Sequence, residues 1–202
     1  MSAVAAAVVP PARHPSESWK LPDRGVVGML CLIVAEAAIF TIFVVAYLFY
    51  LGKNLSGPEP RDLLEVPIFI SICLWASSGT VELAVRALRQ GKTGAFSLWW
   101  FLTIVLALIF LVGTAQEWHH LIYEKNFTIR TNLFGTTFYS LVGLHGFHVI
   151  VGLVGLSVVQ VFALLGRVTR HHAERAHVLG LYWHFVDVVW VIVFTVVYVI
   201  GR

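Results

Sequence analysis

Five long apolar runs, each long enough to cross a lipid bilayer, constrain the fold of this chain more than any other feature. A helix needs about 20 mostly apolar residues to cross a hydrocarbon core of ~30 Å. The connections between the runs are short and leave no room for a large soluble domain. We therefore predict an all-α polytopic membrane protein, a bundle of five transmembrane helices in a domain of residues 25–202. The predicted spans cover residues 25–51, 67–89, 95–118, 134–166 and 178–200.

The composition agrees with lipid as the main solvent. Of the 202 residues 58% are hydrophobic and 12% are charged, whereas a soluble domain carries about 25% charged residues. The net charge of +3 is modest and the basic residues are spread over short loops, so nucleic acid is not predicted as a partner. Cys31 and Cys73 lie inside apolar runs, with neither metal-ligand nor disulfide spacing.

Residues 1–24 precede the first span and are predicted to form a flexible tail. The segment is rich in alanine and proline, and its prolines oppose a continuous helix. It lacks the basic start and long apolar core of a cleaved signal peptide.

The distribution of basic residues predicts the orientation in the membrane. Lys and Arg are enriched in the cytoplasmic connections of membrane proteins. With the N-terminus inside, nine basic residues fall on the inner side and five on the outer side. We predict a cytoplasmic tail and an external C-terminus. The inner residues are Arg13, Lys20, Arg24, Arg86, Arg89, Lys92, Arg167, Arg170 and Arg175, and the outer ones are Lys53, Arg61, Lys125, Arg130 and Arg202.

Several ionisable side chains lie where lipid is expected. A charge at the bilayer centre costs ~2.5–3.5 kcal/mol on insertion scales, so each of these positions requires a partner or a function. Glu36 follows the start of the first span by about eleven residues, close to the midplane. His145 and His148 are three residues apart, as are His184 and Asp187, and each pair shares one side of its helix. Further ionisable positions nearer to span ends are Glu82 and Glu117.

These positions admit two interpretations, contacts between helices or a proton-related function. His148 and His184 are the pair that a bis-histidine haem would use, which requires one histidine on each of two facing helices. The spacing of His145 and His148 fits no standard site, and zinc requires three or four converging ligands. We predict no metal, no haem and no catalytic residue in this chain.

A group of motifs resembles subunit III of the haem–copper respiratory oxidases. The run 182–190, Tyr-Trp-His-Phe-Val-Asp-Val-Val-Trp, is very similar to the signature of that family. The run 145–149, His-Gly-Phe-His-Val, is followed by Gly152 as in the family, and the run 134–138, Phe-Gly-Thr-Thr-Phe, resembles the opening of the same helix. Glu117 matches a family glutamate, and Glu36 matches the carboxylate known there to react with carbodiimides. The resemblance extends in order from about residue 23 to residue 201.

The resemblance implies the short, five-helix form of this subunit, without the first two helices of the long form. It implies a non-redox subunit of a bacterial cytoplasmic (inner) membrane complex that reduces oxygen and pumps protons. The expected partners are subunits I and II, which hold the haems and copper, together with bound phospholipid. Cytochrome c is the expected electron donor, and ubiquinol is the alternative. Two further interpretations are a nitric-oxide-reductase accessory protein of the same family and a stand-alone proton transporter. The internal repeats that are common in transporters are not evident in this sequence.

Overall fold

The structure, a computed structural model, describes residues 23–53 and 66–201, and within these ranges it is almost entirely helical. All five long helices are long and apolar enough to span a membrane. They are α1 (Arg24–Tyr50), α2 (Ile68–Arg89), α3 (Thr93–His119), α4 (Leu133–Leu164) and α5 (Ala173–Phe194). A π-helical turn extends α3 over His120–Glu124 and another extends α5 over Thr195–Ile200, while a 3-10 turn, Arg170–His172, leads into α5.

Local signals define several helix ends. The Asp23 carboxylate accepts a hydrogen bond from the Gly25 amide at 2.8 Å, and Asn132 caps α4 in the same way through the Gly135 amide at 2.8 Å. Such side chains satisfy amides that the first helical turn leaves without a partner. Gly91 and Gly166, with φ of 76° and 68°, occupy the left-handed conformation just after α2 and α4. Glycine adopts this conformation without steric strain, and the chain can therefore reverse direction there.

The helices pack around α4 and α5. Helix α2 packs along α3 and also contacts α5, while α4 contacts α1, α3 and α5. Helix α1 contacts only α4 and α5 to any extent and is the most lipid-exposed of the five. The start of α1, the end of α2 and the start of α5 lie together, since Arg89 approaches Glu174 and Gly25 approaches Val178. We call this the basic end of the bundle, because Arg24, Arg86, Arg89, Lys92, Arg167, Arg170 and Arg175 cluster at or near it.

The predicted fold class is confirmed, and the helices extend past several predicted span limits. The third span, with its π-helical turn, continues from 118 to Glu124, and the fifth, with its 3-10 turn, starts at Arg170 rather than at 178. Hydropathy marks only the part of a helix that lies in hydrocarbon, whereas backbone hydrogen bonding continues into the polar interface. Most of the predicted N-terminal tail, together with Arg61 and Arg202, lies outside the described residues.

Candidate functional site

Glu36 of α1 and His148 of α4 form a polar contact within the membrane-spanning part of the bundle. Glu36 Oε2 lies 3.1 Å from His148 Nε2, and the two side chains are 23% and 8% exposed. His148 Nδ1 lies 2.7 Å from the Leu144 carbonyl oxygen. Because a carbonyl can only accept, Nδ1 carries a proton, which leaves Nε2 facing the Glu36 carboxyl group.

A second contact joins α2 to α5 through one hydroxyl group. Ser78 Oγ donates to Asp187 Oδ2 and lies 3.0 Å from His184 Nδ1. The Ser78 hydroxyl is thus within hydrogen-bond distance of both α5 side chains, and the direction of its hydrogen bond with His184 depends on the tautomer of the ring. Asp187 is buried and His184 is half-buried. The spacing of His184 and Asp187 predicted a shared side of the helix, and the structure supplies Ser78 as the group that links them.

Two tryptophans add hydrogen bonds along the interface between α2 and α5. The sequence motifs predicted no partner for either of them. The Trp183 indole donates to Ser77 Oγ at 2.8 Å, and the Trp190 indole donates to Ser71 Oγ at 3.0 Å. The tryptophans are seven residues apart on α5, a spacing that returns to the same side after two turns. The serines they contact are six residues apart on α2, and this nearly equal interval is the sequence signal that could have revealed the pairing.

His145 is fully buried in an aromatic environment. Its ring stacks on Trp190 at 4.8 Å and 26°, and it meets the Phe110 ring edge-on at 5.8 Å and 82°. Neither ring nitrogen has a hydrogen-bond partner among the described residues. His145 therefore joins α3, α4 and α5 by ring packing, and it takes no part in the contact that His148 makes three residues later.

The two remaining glutamates lie near opposite ends of the bundle. Glu82 pairs with Arg86 one turn later on α2 at 2.8 Å, close to the basic end. Glu117, near the end of α3, accepts a hydrogen bond from the Tyr198 hydroxyl at 3.0 Å. The structure thus distributes the seven predicted positions over separate contacts and does not gather them into one centre.

The arrangement suits the joining of helices better than the binding of a cofactor. Of the two histidines considered for a haem, His148 has both ring nitrogens in contacts, with Leu144 and Glu36, while His184 contacts Ser78 through Nδ1. In the ranges 23–53 and 66–201, no three or more histidine, cysteine or acidic side chains converge as a metal site would require. Hydrogen bonds between helices are the usual use of such polar residues within membranes.

Fold and site together define a class: a polytopic α-helical membrane protein whose buried polar groups connect neighbouring helices. The particular family follows from comparison with known proteins. The family model for cytochrome c oxidase subunit III matches residues 22–202, and the chain belongs to this family.

Relatives from several bacteria extend this result. The chain is 36% identical to cytochrome c oxidase subunit 3 of Alkalihalophilus pseudofirmus over 93% of this chain and 92% of that protein. It is 34% identical to the Bacillus subtilis protein of the same name, over 86% of this chain and 85% of the relative. It is also 32% identical to the cytochrome bo(3) ubiquinol oxidase subunit 3 of Pseudomonas aeruginosa, over 87% of this chain and 85% of that one.

Proposed function

We propose that this chain is the non-redox subunit III of a proton-pumping haem–copper terminal oxidase. The observation that carries the proposal is the family match over residues 22–202. The match coincides with a five-helix bundle in which the motif histidines bind neighbouring helices. In this role the chain binds subunit I and subunit II, while the haems and copper of those partners carry the redox chemistry.

The structural part of the role is assigned to the polar contacts inside the bundle. Glu36 with His148 joins α1 to α4, and Ser78 with His184 and Asp187 joins α2 to α5. A helix that rotated or shifted would leave these groups without partners in lipid, where each unsatisfied polar group costs several kcal/mol. The contacts therefore favour one arrangement of the helices, and a rigid bundle of this kind can stabilise subunit I during turnover. The other members of the proposed set are Glu82, Glu117 and His145.

A proton-related role is proposed for the Glu36–His148 pair. Nε2 and the carboxyl oxygen are 3.1 Å apart, so a proton bound by either group can pass to the other without changing the net charge of the pair. A Glu36→Gln oxidase reconstituted in vesicles tests this role. We expect a lower proton-to-electron ratio than in the wild type at equal haem content, whereas an unchanged ratio would leave the pair with a structural role only.

A bound phospholipid is proposed at the basic end, between the end of α4 and the start of α5. The cavity there measures about 390 Å³ and combines an apolar wall with cationic side chains. Apolar groups suit acyl chains, while clustered cations at the membrane surface attract anionic headgroups. The wall is formed by Val159, Phe162, Val168, Ala176 and Leu179, and the cationic or titratable side chains are Arg167, His172 and Arg175.

The lipid proposal is tested by counting phospholipids in the purified complex. A double change of Arg167→Ala and Arg175→Ala should remove at least one anionic phospholipid per complex in native mass spectrometry. Arg130→Ala provides the matched control, since Arg130 is exposed and lies in the connection before α4, away from this cavity. Equal lipid counts in all three proteins would exclude the site.

The cytoplasmic membrane is the proposed location, with the basic end facing the cytoplasm. Five spanning helices and bacterial oxidase relatives support this membrane, and the clustered arginines support the orientation. Maleimide labelling of single cysteines placed at Lys92 and at Lys125, with Cys31 and Cys73 replaced by serine, tests it. Only Lys92→Cys should be protected from an impermeant reagent in intact cells; protection of Lys125→Cys instead would reverse the orientation.

Cytochrome c is the proposed electron donor, with ubiquinol as the second candidate. The family description and two of the relatives above carry the cytochrome c name, while the Pseudomonas aeruginosa relative is a subunit of a ubiquinol oxidase.

The deciding experiment is purification of the tagged chain from its native membrane in mild detergent. We expect haem-containing partners to co-purify and to consume oxygen, faster with reduced cytochrome c than with ubiquinol. The opposite preference would make the complex a quinol oxidase. A colourless chain isolated without partners, from membranes whose oxidase is intact, would contradict the proposal and favour a stand-alone transporter.

A further inference from the structure

One side of α5 is left uncovered between α1 and α2. Phe185 contacts Phe40 of α1 with ring centres 6.3 Å apart, and Asp187 contacts Ser78 of α2. Helices α1 and α2 have no extensive contact with each other in the described part of the chain. The α5 residues that project between them form a groove floor, which we call the open face of α5. It consists of Leu181, His184, Val188 and Val191 together with Thr195 of the π-helical turn that extends the helix, and all five are exposed or half-buried.

Most of the open face could be covered by lipid, but His184 could not be covered in this way without loss. Thr195 donates to its own helix, at the Val191 carbonyl, at 2.8 Å and needs no further partner. The His184 ring is bound at Nδ1 by Ser78, and its Nε2 has no partner among the described residues. An acyl chain cannot form a hydrogen bond, so lipid would leave this nitrogen unsatisfied within the membrane.

The chemistry of the missing partner follows from the His184 ring. The contact with Ser78 uses Nδ1, and Nε2 is left as the ring atom that a partner must meet, as acceptor or as donor according to the tautomer. The partner must then present a hydrogen-bonding side chain at the depth of His184. A serine, threonine, asparagine or glutamine side chain on a transmembrane helix meets this requirement with either tautomer.

The groove also permits a helix to approach closely. The open face repeats at intervals of three and four residues, the row that a second helix follows when it crosses at about 20°. Beside Ser78, Gly79 of α2 is exposed and has no atom within 4 Å of the position that a side-chain carbon would occupy. Small residues of this kind let the backbones of membrane helices come together.

We propose that the open face of α5 is the docking site for a transmembrane helix of another oxidase subunit, one that forms a hydrogen bond with His184 Nε2. The inference rests on the proposed role as an oxidase subunit and adds the surface and the polar contact through which that role is exercised. Lipid and a second copy of this chain are the competing occupants.

The first test places bulk on the open face in the purified holo-oxidase. Val188→Trp is compared with Val154→Trp on α4, because the two valines are equally exposed, at 59% each. We expect Val188→Trp to lower the haem recovered with the tagged chain about tenfold, an effect in the range of overpacked interfaces. Val154→Trp should leave recovery within twofold of the wild type. Equal losses for both variants would overturn the assignment.

The second test does not depend on assembly being disrupted. A benzophenone amino acid replaces Val188 in the otherwise intact complex, and the photoproducts are identified by mass spectrometry. We expect a covalent link to a transmembrane helix of another subunit, with a hydrogen-bonding side chain near the linked residue. Adducts with lipid only, or with a second copy of this chain only, would overturn the inference even if haem and oxygen-reducing activity co-purify. Absence of haem from the wild-type preparation would instead refute the proposed function.

Discussion

Gly152 allows α4 and α5 to approach closely, and a single methyl group there should destabilise the bundle. A side-chain carbon at this position would lie 2.7 and 2.8 Å from Trp183 Cζ3 and Cε3 and 3.2 Å from Tyr182 Cε1. Carbon atoms in favourable contact are about 3.5–4.0 Å apart. In Gly152→Ala the helices or the indole must therefore move. Trp183 is fully buried and its indole is held by Ser77 at 2.8 Å.

Relative to the control Gly146→Ala, the expected loss for Gly152→Ala is about 2–4 kcal/mol of unfolding free energy. Overpacking a close contact costs about 1–3 kcal/mol, and weakening the Trp183–Ser77 hydrogen bond adds about 1 kcal/mol. Gly146→Ala is the matched control on the same helix, since no atom lies within 4 Å of its added carbon. Alanine has a helix propensity about 1 kcal/mol better than glycine, so the control should be neutral or slightly stabilising.

Reversible unfolding of the purified chain in mixed detergent and dodecyl sulfate micelles, followed by circular dichroism, measures both variants. Trp183→Phe in the Gly152→Ala background should recover part of the loss, because the smaller ring leaves room for the methyl group and coupled sites are not additive. If the unfolding free energies of the two alanine variants differ by less than about 1 kcal/mol, steric contact between α4 and α5 does not determine the cost of a methyl group at Gly152.

The polar contacts between helices lead to two further predictions, measured by the same unfolding assay. Glu36→Gln should lower the unfolding free energy by less than about 1 kcal/mol, since an amide can still donate to His148 Nε2. His148→Leu should lower it by about 2–3 kcal/mol, because the Glu36 carboxyl group is left unpaired. Equal losses for the two variants would refute the pairing. Ser78→Ala should cost about 2 kcal/mol, because Asp187 and His184 both lose their shared partner, and a loss below about 0.5 kcal/mol would show that the hydroxyl does not connect them.

Several elements could be predicted because they depend on local properties of the chain. Helix periodicity places His184 and Asp187 on one side of α5, and the structure shows both contacting the same serine. The same local reasoning could not separate His145 from His148, which point to different neighbours. A step of three residues turns the side chain by about 60°, enough for His148 to meet α1 while His145 packs between α3 and α5.

The sequence by itself determined the five spans, since the length of an apolar run and the satisfaction of backbone hydrogen bonds within a helix are properties of each segment alone. Its motifs also pointed to the oxidase family that the comparisons then showed. Only the tertiary structure decided which polar group meets which. Glu36 and His148 are 112 residues apart, as Ser78 and Asp187 are 109 apart. Such pairs depend on the order and rotation of whole helices about their axes, which side-chain packing across the entire bundle determines.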